Sequence, residues 1–209
     1  MLSLIREKKS NKKISMTEKE KMLNGDLYNS RDPELLKMYH NARKLIKQYN
    51  NLDSEDLKER EQILTALLAK IGIGVWIEAP FYCDYGPNIS IGQNTFVNLN
   101  CMFLDNNYIT IGKNGLIGPY VQIYTSVHPL NASERIVDVN NGSRYLTSSK
   151  PVTIGDNVWI GGNTVILPGV NIGNNVTVGS GSVVTKNIPD DVLAFGNPCA
   201  VRKNLKHDL

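Results

Sequence analysis

Long hydrophobic runs are missing from this chain of 209 residues. No stretch approaches the roughly 18 apolar residues that a membrane helix needs, and the first residues lack the apolar core of a secretory signal. The expectation is a cytoplasmic protein with no membrane partner. Cysteine is scarce as well: Cys83, Cys101 and Cys199 make an odd count without CxxC spacing, which argues against a disulfide framework and against a zinc site. An excess of either sign of charge is also nearly absent, the formal net value being +3. Arg6, Lys8, Lys9, Lys12 and Lys13 stand against Glu7 in residues 1–15, so the basic excess belongs to that segment and the rest of the chain is slightly acidic. Such a segment reads as a disordered, solvated extension, and no nucleic-acid partner is expected.

What the sequence does have is a period of six. In "TIGDNVWIGGNTVILPGVNIG" Ile recurs at 154, 160, 166 and 172, and the register continues through Val178 and Val184. An earlier block holds Ile91, Val97 and Phe103, slips by two residues around Asp105 to Tyr108, and resumes at Ile111, Ile117 and Ile123. Neither an amphipathic helix, near 3.6, nor a strand, at 2, has this period. A β-sandwich would alternate every second residue instead. Hexads of this kind mark a parallel β-helix, an all-β solenoid in which each hexad forms one short flat face and three close a coil. The first residue points inward, and the residue four later (Val158, Thr164, Val170, Val176, Ser182) is small or β-branched and fits near a corner. Gly155, Asn157, Gly161, Asn163, Gly173 and Asn174 supply turn chemistry.

Four regions follow: a basic extension over 1–15, an N-terminal α-helical cap over 16–72, the solenoid over 73–196 in about five coils, and a tail over 197–209. In the cap, Thr17 with Glu20 forms a capping box, and Asp32 followed by Pro33 starts a helix whose apolar face runs from Leu35 to Tyr49. Another helix is expected from Ser54 through Ile71 to Gly72. The cap would close the unpaired end of the strand stack. One long excursion, residues 128–151, leaves the solenoid, and its first residue is His128. Long loops on regular scaffolds carry function more often than not.

The segments "MLNGDLYNSRDPEL", "PFYCDYGPNISIG", "NTFVNLNCMFLD", "TSVHPL", "GSGSVVTKNIP" and "GNPC", with the hexads, make the chain resemble the hexapeptide-repeat acyltransferases, in the maltose and galactoside O-acetyltransferase group. The resemblance runs from residue 16 to about 203. It implies a left-handed β-helix, assembly as a homotrimer with active sites between adjacent subunits, acetyl-CoA as co-substrate, a small sugar as acceptor and no metal.

It also implies roles for residues. His128 matches the general base. Histidine, which titrates near neutrality, suits taking the proton of a hydroxyl during direct attack on a thioester, an effect typically worth ~10²–10⁴ in rate. Asn98 matches the asparagine that organises the reacting groups. Gly162 matches the backbone donor near the thioester, and Ser180, Thr185 and Lys186 match the CoA-binding stretch. After "GNPC", Ala200 stands where relatives carry a first arginine and Lys203 where they carry a second, with Arg202 as the substitute. For the acceptor, Asp84 fits the maltose-type members, while Ser30 and Asn106 replace two aspartates of galactoside-type relatives. A streptogramin acetyltransferase and a non-catalytic trimeric scaffold are the rival readings. A γ-type carbonic anhydrase needs three histidine ligands, and the solenoid supplies only His128.

Overall fold

A computed structural model describes residues 16–137 and 145–205. The basic segment 1–15 and His207 lie outside the described residues.

An aliphatic side chain every sixth residue can share one interior only if the chain turns a corner between successive hexads. That is how the chain runs. Three faces of short parallel strands surround a column of Ile and Val. The first face stacks Lys70–Ile71, Ile89–Ile91, Ile109–Ile111, Val152–Ile154 and Asn171–Ile172. Trp76–Ile77, Phe96–Val97, Leu116–Ile117, Trp159–Ile160, Thr177–Val178 and Val192–Gly196 form the second. The third holds Phe81–Cys83, Cys101–Leu104, Gln122–Tyr124, Val165–Ile166 and Val183–Val184. Five coils close, and a sixth begins with the bridge from Ile172 to Ile188. The hexad residues Ile154, Ile160, Ile166, Ile172, Val178 and Val184 are all buried, as are Val158, Thr164, Val170, Val176 and Ser182 at the fifth place of the hexad. Burying each Ile contributes roughly 1.5–3 kcal/mol.

Corners need backbone that L-residues disfavour. At the first edge, between the first and second faces, Asn94, Asn114, Asn157 and Asn175 take φ of 56°, 56°, 57° and 55°. Asparagine tolerates this region better than most residues. Their amides form a ladder: Asn114 donates to Asn157 at 2.9 Å, Asn157 to Asn175 at 2.9 Å, and Asn175 to Asp191 at 2.8 Å. The left-handed place expected at Asn174 belongs to Asn175; Asn174 instead accepts the Asp156 N–H at 2.9 Å. Gly161 is needed for close approach rather than for φ, since a Cβ there would meet the Ser180 nitrogen at 2.5 Å.

The cap comprises α1 (Glu18–Asn24), α2 (Pro33–Asn50) and α3 (Leu57–Leu67). The Thr17–Glu20 capping box and the Asp32 N-cap both form. The third helix is shorter than expected. Asp56 is its N-cap, and it ends at Leu67 because Ile71 is already in hexad phase with Ile77 and Cys83 and pairs with Ile91 in the first face. Tyr49, Leu64 and Leu67 enter the solenoid core. Buried Arg60 donates to the Ile77 carbonyl at 2.8 Å and to the Tyr49 hydroxyl at 3.1 Å. At the opposite end, Cys199–Asn204 folds back as an antiparallel strand on Val192–Gly196, so this stretch is an edge strand and not a loose tail.

Candidate active site

Coil length locates the irregularities. The first-face partners Lys70, Ser90, Thr110, Thr153 and Asn171 succeed one another at intervals of 20, 20, 43 and 18 residues. The first two faces follow each other at six-residue steps, so every surplus residue falls at the third edge, between the third face and the next first face. That edge carries Asp84 to Asn88, then Asp105 to Tyr108, then the excursion.

In the first two coils the surplus makes a cleft of about 330 Å³, lined by Ser30, Arg31, Leu36, Tyr39, Asp84, Tyr85 and Asn106. All three expected acceptor residues, Ser30, Asp84 and Asn106, meet here. Asp84 is paired with Arg43 of α2 at 3.1 Å, and the Arg43 guanidinium lies 4.6 Å from the Tyr39 ring centroid. Burial lifts the Asp84 carboxyl above its ordinary range, and Arg43 draws it partly back. Tyr85 is pushed up to about 12, chiefly by burial, then by Asp84 and Asp105. Gly86 has φ 88°, and a Cβ there would meet the Leu67 carbonyl oxygen at 2.4 Å, so the turn beneath the cleft admits only glycine.

A fastening system surrounds the cleft. Fully buried Asp105 accepts the backbone N–H groups of Asp84 at 3.0 Å, Tyr85 at 2.8 Å and Gly86 at 2.7 Å. Asn107 donates to the Met22 carbonyl at 3.3 Å, the Leu23 carbonyl at 3.2 Å and the Ser149 hydroxyl at 3.0 Å. The Ser149 hydroxyl in turn donates to the Met22 carbonyl at 2.5 Å, and Tyr28 N–H donates to the Thr147 carbonyl at 3.0 Å. Thus α1 is tied to the neck of the excursion. Sequence reasoning missed Arg43, Asp105 and Asn107; the two-residue slip at Asp105 to Tyr108 was the signal for two of them.

His128 stands at that neck, directly after Ser126–Val127, which pairs antiparallel with Ser148–Ser149. Its Nδ1 lies 2.8 Å from the Leu146 carbonyl oxygen. A carbonyl only accepts, so Nδ1 carries the proton and the neutral ring keeps its lone pair on Nε2. The ring is exposed. Thr185 and Lys186 are exposed on the same edge, two coils further along.

Asn98, Gly162 and Ser180 lie elsewhere, on the second edge between the second and third faces. Asn98 Oδ1 accepts the Leu99 N–H at 2.8 Å, which leaves its Nδ2 as a donor. The Gly162 carbonyl accepts from Gly181, while its own N–H has no partner among the described residues. A Cβ on Gly118 would sit 2.6 Å from that nitrogen, so the glycine keeps the donor approachable. Arg202 and Lys203 are on the outermost strand, Arg202 stacking 5.3 Å from the Phe195 ring centroid. One chain therefore gathers Ser30, Asp84 and Asn106 with His128 on one edge, and Asn98 with Gly162 and Ser180 on another. A cleft of about 470 Å³ beneath α3 holds none of these residues. Among the described residues no group of three His, Cys, Asp or Glu could hold a metal ion, and no helix is long and apolar enough to cross a membrane.

A repeat-built prism with a histidine at an excursion neck defines a class, and comparison with known proteins agrees. Residues 21–72 match the maltose acetyltransferase hexapeptide capping motif, and residues 151–186 match the bacterial transferase hexapeptide, six repeats. The structure of a maltose O-acetyltransferase from Clostridium difficile 630 is similar with a TM-score of 0.86 and 45% identity, covering 92% of this chain and 99% of that one. A hexapeptide-repeat acetyltransferase from Vibrio cholerae, complexed with acetyl coenzyme A, aligns with a TM-score of 0.82 and 38% identity over 92% of this chain and all of that one. Escherichia coli galactoside O-acetyltransferase is 37% identical over 192 residues, 92% of this chain and 91% of its own. The chain belongs to the hexapeptide-repeat acetyltransferases, in the maltose and galactoside O-acetyltransferase group.

Proposed function

We propose that this protein transfers the acetyl group of acetyl-CoA to a hydroxyl of a sugar, of the glucose, maltose or galactoside kind, with His128 as general base. The observation that carries the reading is the contact of His128 Nδ1 with the Leu146 carbonyl oxygen. With Nδ1–H held by the Leu146 carbonyl at 2.8 Å, the Nε2 lone pair is ready to take a hydroxyl proton. The acceptor oxygen attacks the thioester carbonyl as its proton passes to Nε2. Charge developing on the carbonyl oxygen meets the uncommitted N–H of Gly162, with Asn98 Nδ2 as a further donor. The C–S bond then breaks, and the imidazolium returns its proton to the departing thiolate. No acyl-enzyme forms.

The donor site fits what is present: a bare second edge at Gly118, Gly161 and Gly162 for a thioester arm, Ser180 beside it, and Thr185, Lys186, Arg202 and Lys203 as exposed polar or cationic contacts for the nucleotide end. Because His128 and Gly162 belong to different edges, the reaction requires edges of two copies to face each other. A homotrimer meets that need, and the second face offers the surface for it. Trp76, Phe96, Leu116 and Trp159 stack outward in register, with Trp159 52% exposed and Leu116 47%.

The test is thiol release from acetyl-CoA over glucose, maltose, galactosides and a streptogramin. For His128→Ala we expect a loss of about 10²–10⁴ in rate with the CoA-induced rise in melting temperature retained. A streptogramin as the preferred acceptor would replace the sugar reading. No release from any acceptor, without stabilisation by CoA, would leave a non-catalytic scaffold.

A further inference from the structure

Asp105 is fully buried, yet no part of the chemistry proposed above uses it. Its partners decide what it does. One carboxyl oxygen accepts from the Asp84 and Tyr85 N–H groups at 3.0 and 2.8 Å, the other from Gly86 at 2.7 Å and, at 3.4 Å, from Asn88. The three shorter bonds come from consecutive residues, and two of these, Asp84 and Tyr85, line the acceptor cleft. A third lining residue, Asn106, is the next residue in the chain after Asp105. The Asp105 carbonyl also accepts the Asn88 side-chain amide at 2.7 Å, so both ends of the Asp84–Asn88 turn are held by this one residue. The turn needs such holding. It is one of the places where a coil exceeds eighteen residues, and the regular strand pairing of the faces does not extend through it.

We propose that Asp105 is the positioning residue of the acceptor cleft, its carboxylate fixing the backbone from which Asp84 and Tyr85 reach the sugar. The proposal rests on reading that cleft as the acceptor site. Four N–H groups converging on two oxygens call for a carboxylate, since a protonated acid loses acceptor capacity on one oxygen. Facing Asp105 from the first coil are the Cys83 thiol, the Asp84 carboxyl and the Tyr85 hydroxyl, with Arg43 of α2 behind Asp84. Burial lifts the Asp105 carboxyl to about 7, against the pull of the Tyr85 N–H, with Asp84 adding to the rise. Acceptor binding therefore weakens as pH falls through neutrality.

The experiment is thiol release by wild type, Asp84→Asn and Asp105→Asn, with the fastest sugar of the panel and acetyl-CoA varied in turn across the neutral range. Asp105→Asn should raise the acceptor KM about tenfold or more, leave the acetyl-CoA KM and the CoA-induced thermal shift in place, and abolish the acid-side rise of the acceptor KM. A residue that merely stabilised the fold would alter the amount of active protein and leave the acceptor KM alone. If Asp84→Asn raises the acceptor KM and folded Asp105→Asn does not, the positioning role is overturned and the cleft reading stands. If neither moves it, the cleft is not the acceptor site and both ideas fall. Should Asp105→Asn not fold, calorimetric binding of the same sugar to the CoA complex of the Asp84→Asn, His128→Ala double variant decides. Affinity that falls on acidification upholds the role, and pH-independent affinity overturns it.

Discussion

At Asp105 two demands on a single side chain oppose each other. Desolvation favours the neutral acid, and the four converging N–H groups favour the ion. With the folded-state value raised to about 7 from 3.8, burial prevails, and the consequence for stability has a definite sign. The native state binds a proton more readily than the unfolded chain does, so the contribution of this group is full below about pH 4 and is lost as pH rises toward about 7. The form that organises the cleft is thus the form that folding disfavours, as is common where activity and stability compete. Asp105→Asn carries no ionisable group, so its unfolding free energy should gain on wild type between those two pH values and run parallel above them. Denaturant titration at a series of pH values checks this. Such a residue is hard to find in a sequence, because its partners are backbone N–H groups, which leave no letter in the chain. His128 was legible for the opposite reason: its place at the root of a long excursion is a feature of the sequence itself.

Among elements, the third edge differs from the other two. The first and second edges repeat their turns from coil to coil, using Asn at positive φ or Gly at close approach, and their residues could be read from the hexads. The third edge interrupts the period, so the rule that made the fold legible is silent where the cleft and the excursion neck are built. The same competition misled the reading of α3: Ile71 follows Leu64, Leu67 and Leu68 at helical spacing, and only its pairing with Ile91 assigns it to the solenoid. Asn107 is the residue on which this edge converges, linking α1 to the excursion neck through three side-chain hydrogen bonds. Asn107→Ala takes a donor from the Leu23 carbonyl and the Ser149 hydroxyl, while the Met22 carbonyl keeps Ser149 and Gly25, and should cost about 1–3 kcal/mol. Urea unfolding of the variant measures the loss. Limited proteolysis should then cut first near α1 or the neck, since coils touch only their neighbours and the damage stays local.

For the molecule as a whole, the outward row of Trp76, Phe96, Leu116 and Trp159 sets the expectation for assembly. A charge at the Trp159 end of this row would be buried between copies without a partner, so Trp159→Lys should shift the protein to monomer and abolish transfer while the core coil persists. Light scattering with far-ultraviolet circular dichroism separates these outcomes. The fold, the cap and the cluster of Ser30, Asp84 and Asn106 followed from hexad spacing and the family motifs. The division of His128 and Gly162 between two edges did not, since a linear repeat does not say which corner of the prism each residue occupies.

The concentration of all surplus residues at one edge has a further consequence. The hexads that specify the prism and the segments that shape the proposed acceptor cleft share no positions along the chain, so one can change without disturbing the other. The cap stretch from Ser30 to Arg43 and segments corresponding to Asp84–Asn88, Asp105–Tyr108 and the excursion could be grafted as a set from one member of the family onto the coils of another. Acceptor choice should travel with the graft, and the donor machinery at the second edge should stay with the host.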